Sequence, residues 1–177
     1  MKLKMWRIAA LLTISLFSTF TFAQTNFTVR PSEYSGSPGY NNPTEAYDGN
    51  LSTASSVELV QLGLGAISRI ETWYGFPSAP IGATGMQLNI NSAAATGHDG
   101  TAEVSYSLDG GTTFTILYVL PLSYETHSKQ TNAIPISDGQ DLTKVRIKAQ
   151  ATANVGIAGQ EASSSQWIYE IWISGTD

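Results

Sequence analysis

The sequence predicts an all-β protein, an antiparallel β-sandwich, and three observations carry that prediction. Apolar and polar residues alternate with a period of two in segment after segment, the pattern of strands with one buried face. Clusters rich in Gly, Ser, Asn and Pro separate these segments, at 31–43, 77–85, 92–101 and 137–141. Beyond the opening apolar run, no window keeps apolar residues at helical spacing. Eight or so short strands with such punctuation point to a sandwich.

Taken in order, Phe27 to Arg30 is the first candidate strand. Residues 31 to 56 then form a long stretch with little apolar periodicity, and loops of that length are uncommon unless functional or pinned. Val57 to Leu62 and Ile67 to Tyr74 follow. Met86 to Ile90, Ala102 to Tyr106 and Phe114 to Tyr118 alternate cleanly, and Thr131 to Ile136 is the next run. Val145, Ile147, Ala149 and Ala151 alternate with Arg146, Lys148 and Gln150, which describes a strand with one buried face. Ser165 to Ser174 closes the chain. Its alternation predicts Trp167 and Ile171 inside, and Trp73 and Tyr169 are expected in the core as well.

Lys2, Lys4 and Arg7 precede an apolar run from Ile8 to Phe22, and Thr21-Phe22-Ala23 is an acceptable cleavage site. Residues 1–23 therefore read as an export signal, with Gln24 as the mature N-terminus. The run falls short of the ~20 residues of a membrane span, so no retained anchor and no membrane insertion are expected. The chain has no Cys, which excludes a lipid anchor at the cleavage point. One domain, 24–177, remains; a chain of this size buries roughly 70% of its unfolded surface and folds without disulfides. Removing three basic residues with the signal leaves six against fourteen acids, a net charge of −8. That balance argues against nucleic acid and anionic membranes as partners.

Ala46-Tyr47-Asp48-Gly49-Asn50-Leu51-Ser52-Thr53 puts a carboxylate, free carbonyls and a hydroxyl in one tight loop, oxygen ligands of the kind calcium accepts. Read alone, Asp-Gly-Asn equally suits an Asx-turn in which Asp48 caps its own backbone. The chain ends on Glu170-Ile171-Trp172-Ile173-Ser174-Gly175. The two segments together resemble the discoidin, or coagulation-factor type C, family and its galactose-binding-like relatives among carbohydrate-binding modules. Their opening loop reads Ala-x-Asp-Gly-Asn/Asp-x-x-Thr and their last strand Glu-Ile-x-Val-x-Gly. The resemblance implies a jelly-roll sandwich and one structural Ca2+. Its ligands would be the Asp48 and Glu170 carboxylates, the Asn50 carbonyl, and the Thr53 hydroxyl and carbonyl. Family members carry a Trp two residues after the Thr; here Ser55 stands there, and Trp73 is the candidate to fill that volume.

Ser107-Leu108-Asp109-Gly110-Gly111-Thr112-Thr113-Phe114 matches the Asp-box pattern Ser-x-Asp-x-Gly-x-Thr-aromatic. Its mechanics are local: Asp and Ser side chains bond turn amides, Gly111 supplies an unusual backbone angle, and the aromatic packs beneath. Asp109 is therefore structural and not a catalytic candidate. For ligand contact the sequence offers loop aromatics and histidines: Tyr34, Tyr40, His98, Tyr124 and His127. Rings of this kind stack on the apolar faces of pyranose sugars, with polar neighbours holding hydroxyls.

Catalytic signals are weak. There are two His and no Cys, no Gly-x-Ser-x-Gly elbow and no His-x-x-x-His zinc spacing, and nothing singles out a carboxylate pair for a small glycoside hydrolase. The resemblance to galactose-binding-like modules implies non-catalytic recognition of a glycan or polysaccharide. The alternative is a self-assembling matrix or filament subunit, for which an N-terminal arm from Gln24 to Asn42 would suit strand exchange.

Overall fold

The computed structural model describes residues 24–121 and 124–177, so the expected export signal lies outside the described residues. Ten strands follow one another: β1 (Asn26–Val29), β2 (Glu33–Gly36), β3 (Ser55–Gln61), β4 (Gly65–Tyr74), β5 (Thr84–Thr96), β6 (Gly100–Ser107), β7 (Thr115–Leu120), β8 (Thr126–Pro135), β9 (Arg146–Val155) and β10 (Ala162–Thr176). Two short 3₁₀ turns, Pro43–Tyr47 and Leu142–Lys144, are the helical elements among them. The strands make two antiparallel sheets. One has the order β1-β10-β5-β8, with β3 also paired to β10; the other has the order β2-β4-β9-β6-β7. From β4 onward nearly every connection crosses between sheets, and the expected antiparallel β-sandwich with jelly-roll crossings is the fold found.

The core sits where the period-two pattern placed it. Along β9, Ile147, Ala149, Ala151, Ala153 and Val155 face inward while Arg146, Lys148 and Gln150 face out. β10, central in the other sheet, packs against β9 across the sandwich. Trp73 is fully buried, donates from Nε1 to the Pro43 carbonyl at 2.9 Å, and meets the edge of Tyr40 with ring centroids 6.2 Å apart. It packs under the Pro43–Tyr47 turn.

Two expectations about strand faces need correcting. Ile168, not Trp167, is buried; Trp167 and Tyr169 are only half-buried on the outer face. The cause is a register shift between Ile168 and Glu170. A bulge there adds one residue and inverts the alternation, so Ile168 and Ile171 share the inner face although their spacing is odd. Residues 31–56 are also less irregular than expected. β2 lies within them and pairs with Glu71–Tyr74 of β4, and Asn41 bridges to Ser56. Both halves of the N-terminal arm are paired within the chain, since β1 pairs with Ile173–Thr176.

Candidate functional site

The loop after the first 3₁₀ turn fills a gap in the sheet. β3 pairs with β10 over Ala162–Ile168 and β1 pairs with it over Ile173–Thr176. Between them β10 has no strand neighbour on that side, and residues 47–53 lie against the gap. Glu170, in the gap, points its carboxylate at two donors. Arg30 Nε lies 2.5 Å from Oε1, and the Gly49 backbone N–H donates to Oε2 at 2.9 Å. Asp48 faces its own loop: Oδ1 accepts from the Asn50 amide at 2.8 Å, and Oδ2 accepts from the Thr53 hydroxyl at 2.8 Å. The Asn50 side chain in turn accepts from the Ser52 amide at 2.9 Å. The loop is built as successive Asx-turns.

These donors bear on the calcium expectation. Asp48, Asn50, Thr53 and Glu170 are neighbours, as the two motifs implied, but their oxygens serve protein N–H and O–H groups. Arg30 already supplies a positive charge to Glu170. Among the described residues no group of three or more acids and histidines is placed to hold a metal ion. The donor set as arranged fits a hydrogen-bonded turn clamped by Arg30 better than a cation cage. Arg30 was missed in the sequence, although a carboxylate expected at the core edge needs a partner charge and few cations exist to provide it.

The five loop residues expected at the ligand do not gather in one place. Tyr34 is on edge strand β2, opposite Trp73 and half exposed. Tyr40 is no ligand-facing ring. It is buried, and its hydroxyl donates to Gln166 Oε1 at 2.6 Å. Burial raises the Tyr40 pKa well above the ordinary phenol range, so the hydroxyl stays a donor. The polar surroundings of Tyr40 in sequence disguised a core residue.

His98 and Tyr124 lie on neighbouring segments at the end of the sandwich where β5 passes to β6, while His127 stands near the start of β8 opposite Ala94. The turn at Gly97 organises them: the Tyr124 amide donates to the Gly97 carbonyl at 3.4 Å, and the Thr96 amide donates to the Glu125 carbonyl at 2.9 Å. His98 Nδ1 lies 2.9 Å from Asp99 Oδ2, within ion-pair reach when the ring is protonated but without hydrogen-bond alignment. His127 stacks on Tyr118 of β7, with centroids 3.9 Å apart and planes 16° off parallel. Burial lowers the His127 pKa, favouring the neutral ring. Tyr124 is left 78% exposed at φ 62°, and Asp99 has φ 49°. Residues other than Gly, Asn and Asp seldom adopt such angles, and the strain is of order 1–3 kcal/mol. Asp99 and Tyr118 were not singled out in the sequence, since neither stands in a recognisable pattern.

No family model matches the chain and no curated protein matches it. Among solved structures it is similar to a family 61 carbohydrate-binding module in complex with β-1,4-galactotriose, at 14% identity and a TM-score of 0.37, covering 80% of this chain and 86% of that one. The likeness is one of fold. A family 32 module from a family 31 glycoside hydrolase of Clostridium perfringens is also 14% identical, with a TM-score of 0.37 and coverage of 83% and 90%. A second Clostridium perfringens family 32 module, in complex with galactose, is 18% identical with a TM-score of 0.30 and coverage of 85% and 99%.

The Asp-box turn lies at the opposite end. Asp109 accepts from the Thr113 amide at 3.0 Å and from the Thr113 hydroxyl at 2.6 Å, and Ser107 Oγ accepts from the Gly111 amide at 2.9 Å. The Thr113 and Ser107 hydrogen bonds hold the Asp109 carboxyl well below the usual carboxylate range. The structural role expected of Asp109 matches these contacts. The Phe114 ring lies against Gly111 of the turn, as expected, while staying 36% exposed.

Proposed function

We propose that the protein is an exported, non-catalytic module that binds a glycan at the Tyr124 end of the sandwich. One observation carries the reading: Tyr124 is held exposed in a left-handed backbone conformation, its amide on the Gly97 carbonyl of the turn that carries His98 and Asp99. An exposed ring forfeits the burial that a tyrosine could otherwise gain, and the backbone strain adds to that cost, so stability alone does not account for the residue. A flat ring at a turn that also carries an imidazole and a carboxylate suits a sugar, with the ring on an apolar pyranose face and the polar groups on hydroxyls. The export segment read from Lys2 to Ala23 supports an extracytoplasmic ligand. The resemblance also implied a calcium ion, but the Arg30–Glu170 pair supports a loop that holds its shape without one.

Binding of this kind is weak, because one ring against one sugar face buries little surface. A glycan array probed with residues 24–177 and with a Tyr124→Ala variant tests the proposal. The expected result is a neutral-glycan signal in the parent that the variant loses, with melting temperatures alike. Equal signals from both proteins, or none from the parent, would overturn it.

A further inference from the structure

The outer face of the β2-β4-β9-β6-β7 sheet carries a second place for a ligand, at the end opposite Tyr124. A cleft of ≈ 260 Å³ opens there, lined by Ser35, Thr72, Tyr74, Gly111, Phe114 and Arg146 among others. Register explains the gathering: Ser35 pairs with Thr72 and Thr72 with Lys148, so three strands contribute to one row. The Asp-box turn then adds Gly111 and the surface ring of Phe114.

Each ring in the cleft carries a cation. Arg146 lies over Tyr74 at 5.3 Å from the centroid, and Lys148 lies over Phe114 at 4.8 Å. Arg146 is also fixed by its own loop, since Nη1 donates to the Thr143 and Val145 carbonyls at 2.7 and 2.8 Å. Its Nε and Nη2 have no acceptor among the described residues, and no carboxylate there pairs with Arg146 or Lys144. Lys148 has a single long contact with Glu103, at 3.5 Å. The charge distribution makes this unusual. The whole chain has a net charge of −5, yet Lys144, Arg146 and Lys148 fall within five residues and form half of the six cations outside the export segment.

We propose that this cleft binds an acidic polysaccharide through a uronate unit, with the Arg146 guanidinium on the carboxylate and Tyr74 and Phe114 against the sugar ring. A guanidinium with two free N–H groups matches a planar carboxylate. The local positive charge in an acidic protein selects an anion over the neutral glycan proposed at Tyr124. The cleft is open and smaller than the ~300 Å³ at which enclosed small-molecule pockets begin, which suits one sugar unit of a longer chain. Aromatic faces flanked by Ser35 and Thr72 hydroxyls favour a sugar over an acidic peptide. This site does not depend on the Tyr124 reading.

The test is affinity electrophoresis of residues 24–177 through gels containing polygalacturonate, with its fully methyl-esterified form and polyglutamate as parallel gels. Polygalacturonate should retard the protein, and the ester should not, because esterification removes the charge and leaves the sugar backbone. Arg146→Gln should weaken binding by roughly tenfold or more, the size of one charged hydrogen bond. Arg146→Lys should recover only part of the loss, because it restores charge without the fork. Phe114→Ala alters an exposed ring and carries the test should Arg146→Gln fail to fold. Tyr124→Ala should bind polygalacturonate as the parent does, which separates this site from the other. Equal retardation by the ester, equal binding to polyglutamate, unchanged binding in Phe114→Ala, or no retardation of the parent would each overturn the proposal.

Discussion

Removing Arg30 asks what holds the 47–53 loop in the gap beside β10. The Glu170 side chain is 3% exposed and Arg30 39% exposed, with 2.5 Å between Nε and Oε1. Breaking a fully buried ion pair costs about 3–5 kcal/mol because a charge is left stranded, whereas exposed pairs contribute about 0.2–1 kcal/mol. Arg30 is partly solvated, and the Gly49 amide still donates to Glu170, so Arg30→Met should cost about 2 kcal/mol. For a domain of this size that is a melting shift of roughly 4–8 °C. Urea denaturation of Arg30→Met, Glu170→Gln and the double variant gives the quantity directly, provided the slope with denaturant is unchanged. The pair should show a coupling of about 1 kcal/mol or more. The reasoning fails if Arg30→Met costs less than about 0.5 kcal/mol, within the range of an ordinary surface change. It fails equally if a chelator lowers the melting temperature of the parent and calcium restores it, since an ion would then be holding the loop.

Other substitutions separate core from surface. Tyr40→Ala should destabilise by about 3–5 kcal/mol, as for a buried aromatic, and Tyr40→Phe by about 1–3 kcal/mol for the Gln166 partner left unsatisfied; denaturation curves check both. Tyr124→Gly should do the reverse, raising stability by about 1 kcal/mol as φ 62° becomes unstrained, while removing glycan binding. Ile168→Ala should cost about 2–5 kcal/mol and Trp167→Ala clearly less, because the bulge puts only Ile168 inside. Glu71 is buried with one carboxylate oxygen unpartnered, and desolvation raises its pKa. A raised folded value means the folded state binds the proton more tightly. Stability should therefore fall as pH rises from the free carboxylate value, about 4.3, through the folded one. Glu71→Gln should flatten that slope in melts recorded across this window.

The period-two signal was enough for the sandwich because each long strand has one wet face and one dry face, and β9 shows the rule in full. It failed in part of β10 for a specific reason: a bulge between Ile168 and Glu170 adds a residue that alternation cannot announce, so the phase that correctly puts Ile171 inside is wrong for Trp167 and Tyr169. β2 was invisible because an edge strand exposed throughout has no apolar pattern. The Asp48 motif correctly brought that loop to Glu170, but it could not show that Arg30, eighteen residues earlier in the chain, would take the carboxylate. His98, Tyr124 and His127 were legible as polar-loop residues. Tyr40 had the same local appearance and is core, because the partner that buries it, Gln166, is distant in sequence.

The central claim is that a glycan sits on the Tyr124 end of the sandwich. Backbone amide shifts recorded while the folded domain is titrated with the best-bound neutral array glycan test it most directly. The account predicts shifts concentrated at residues 96–100 and 124–127, absent when Tyr124→Ala is titrated in the same way. Shifts confined to the 47–53 loop or to the Phe114 cleft, or a titration unaffected by Tyr124→Ala, would contradict it.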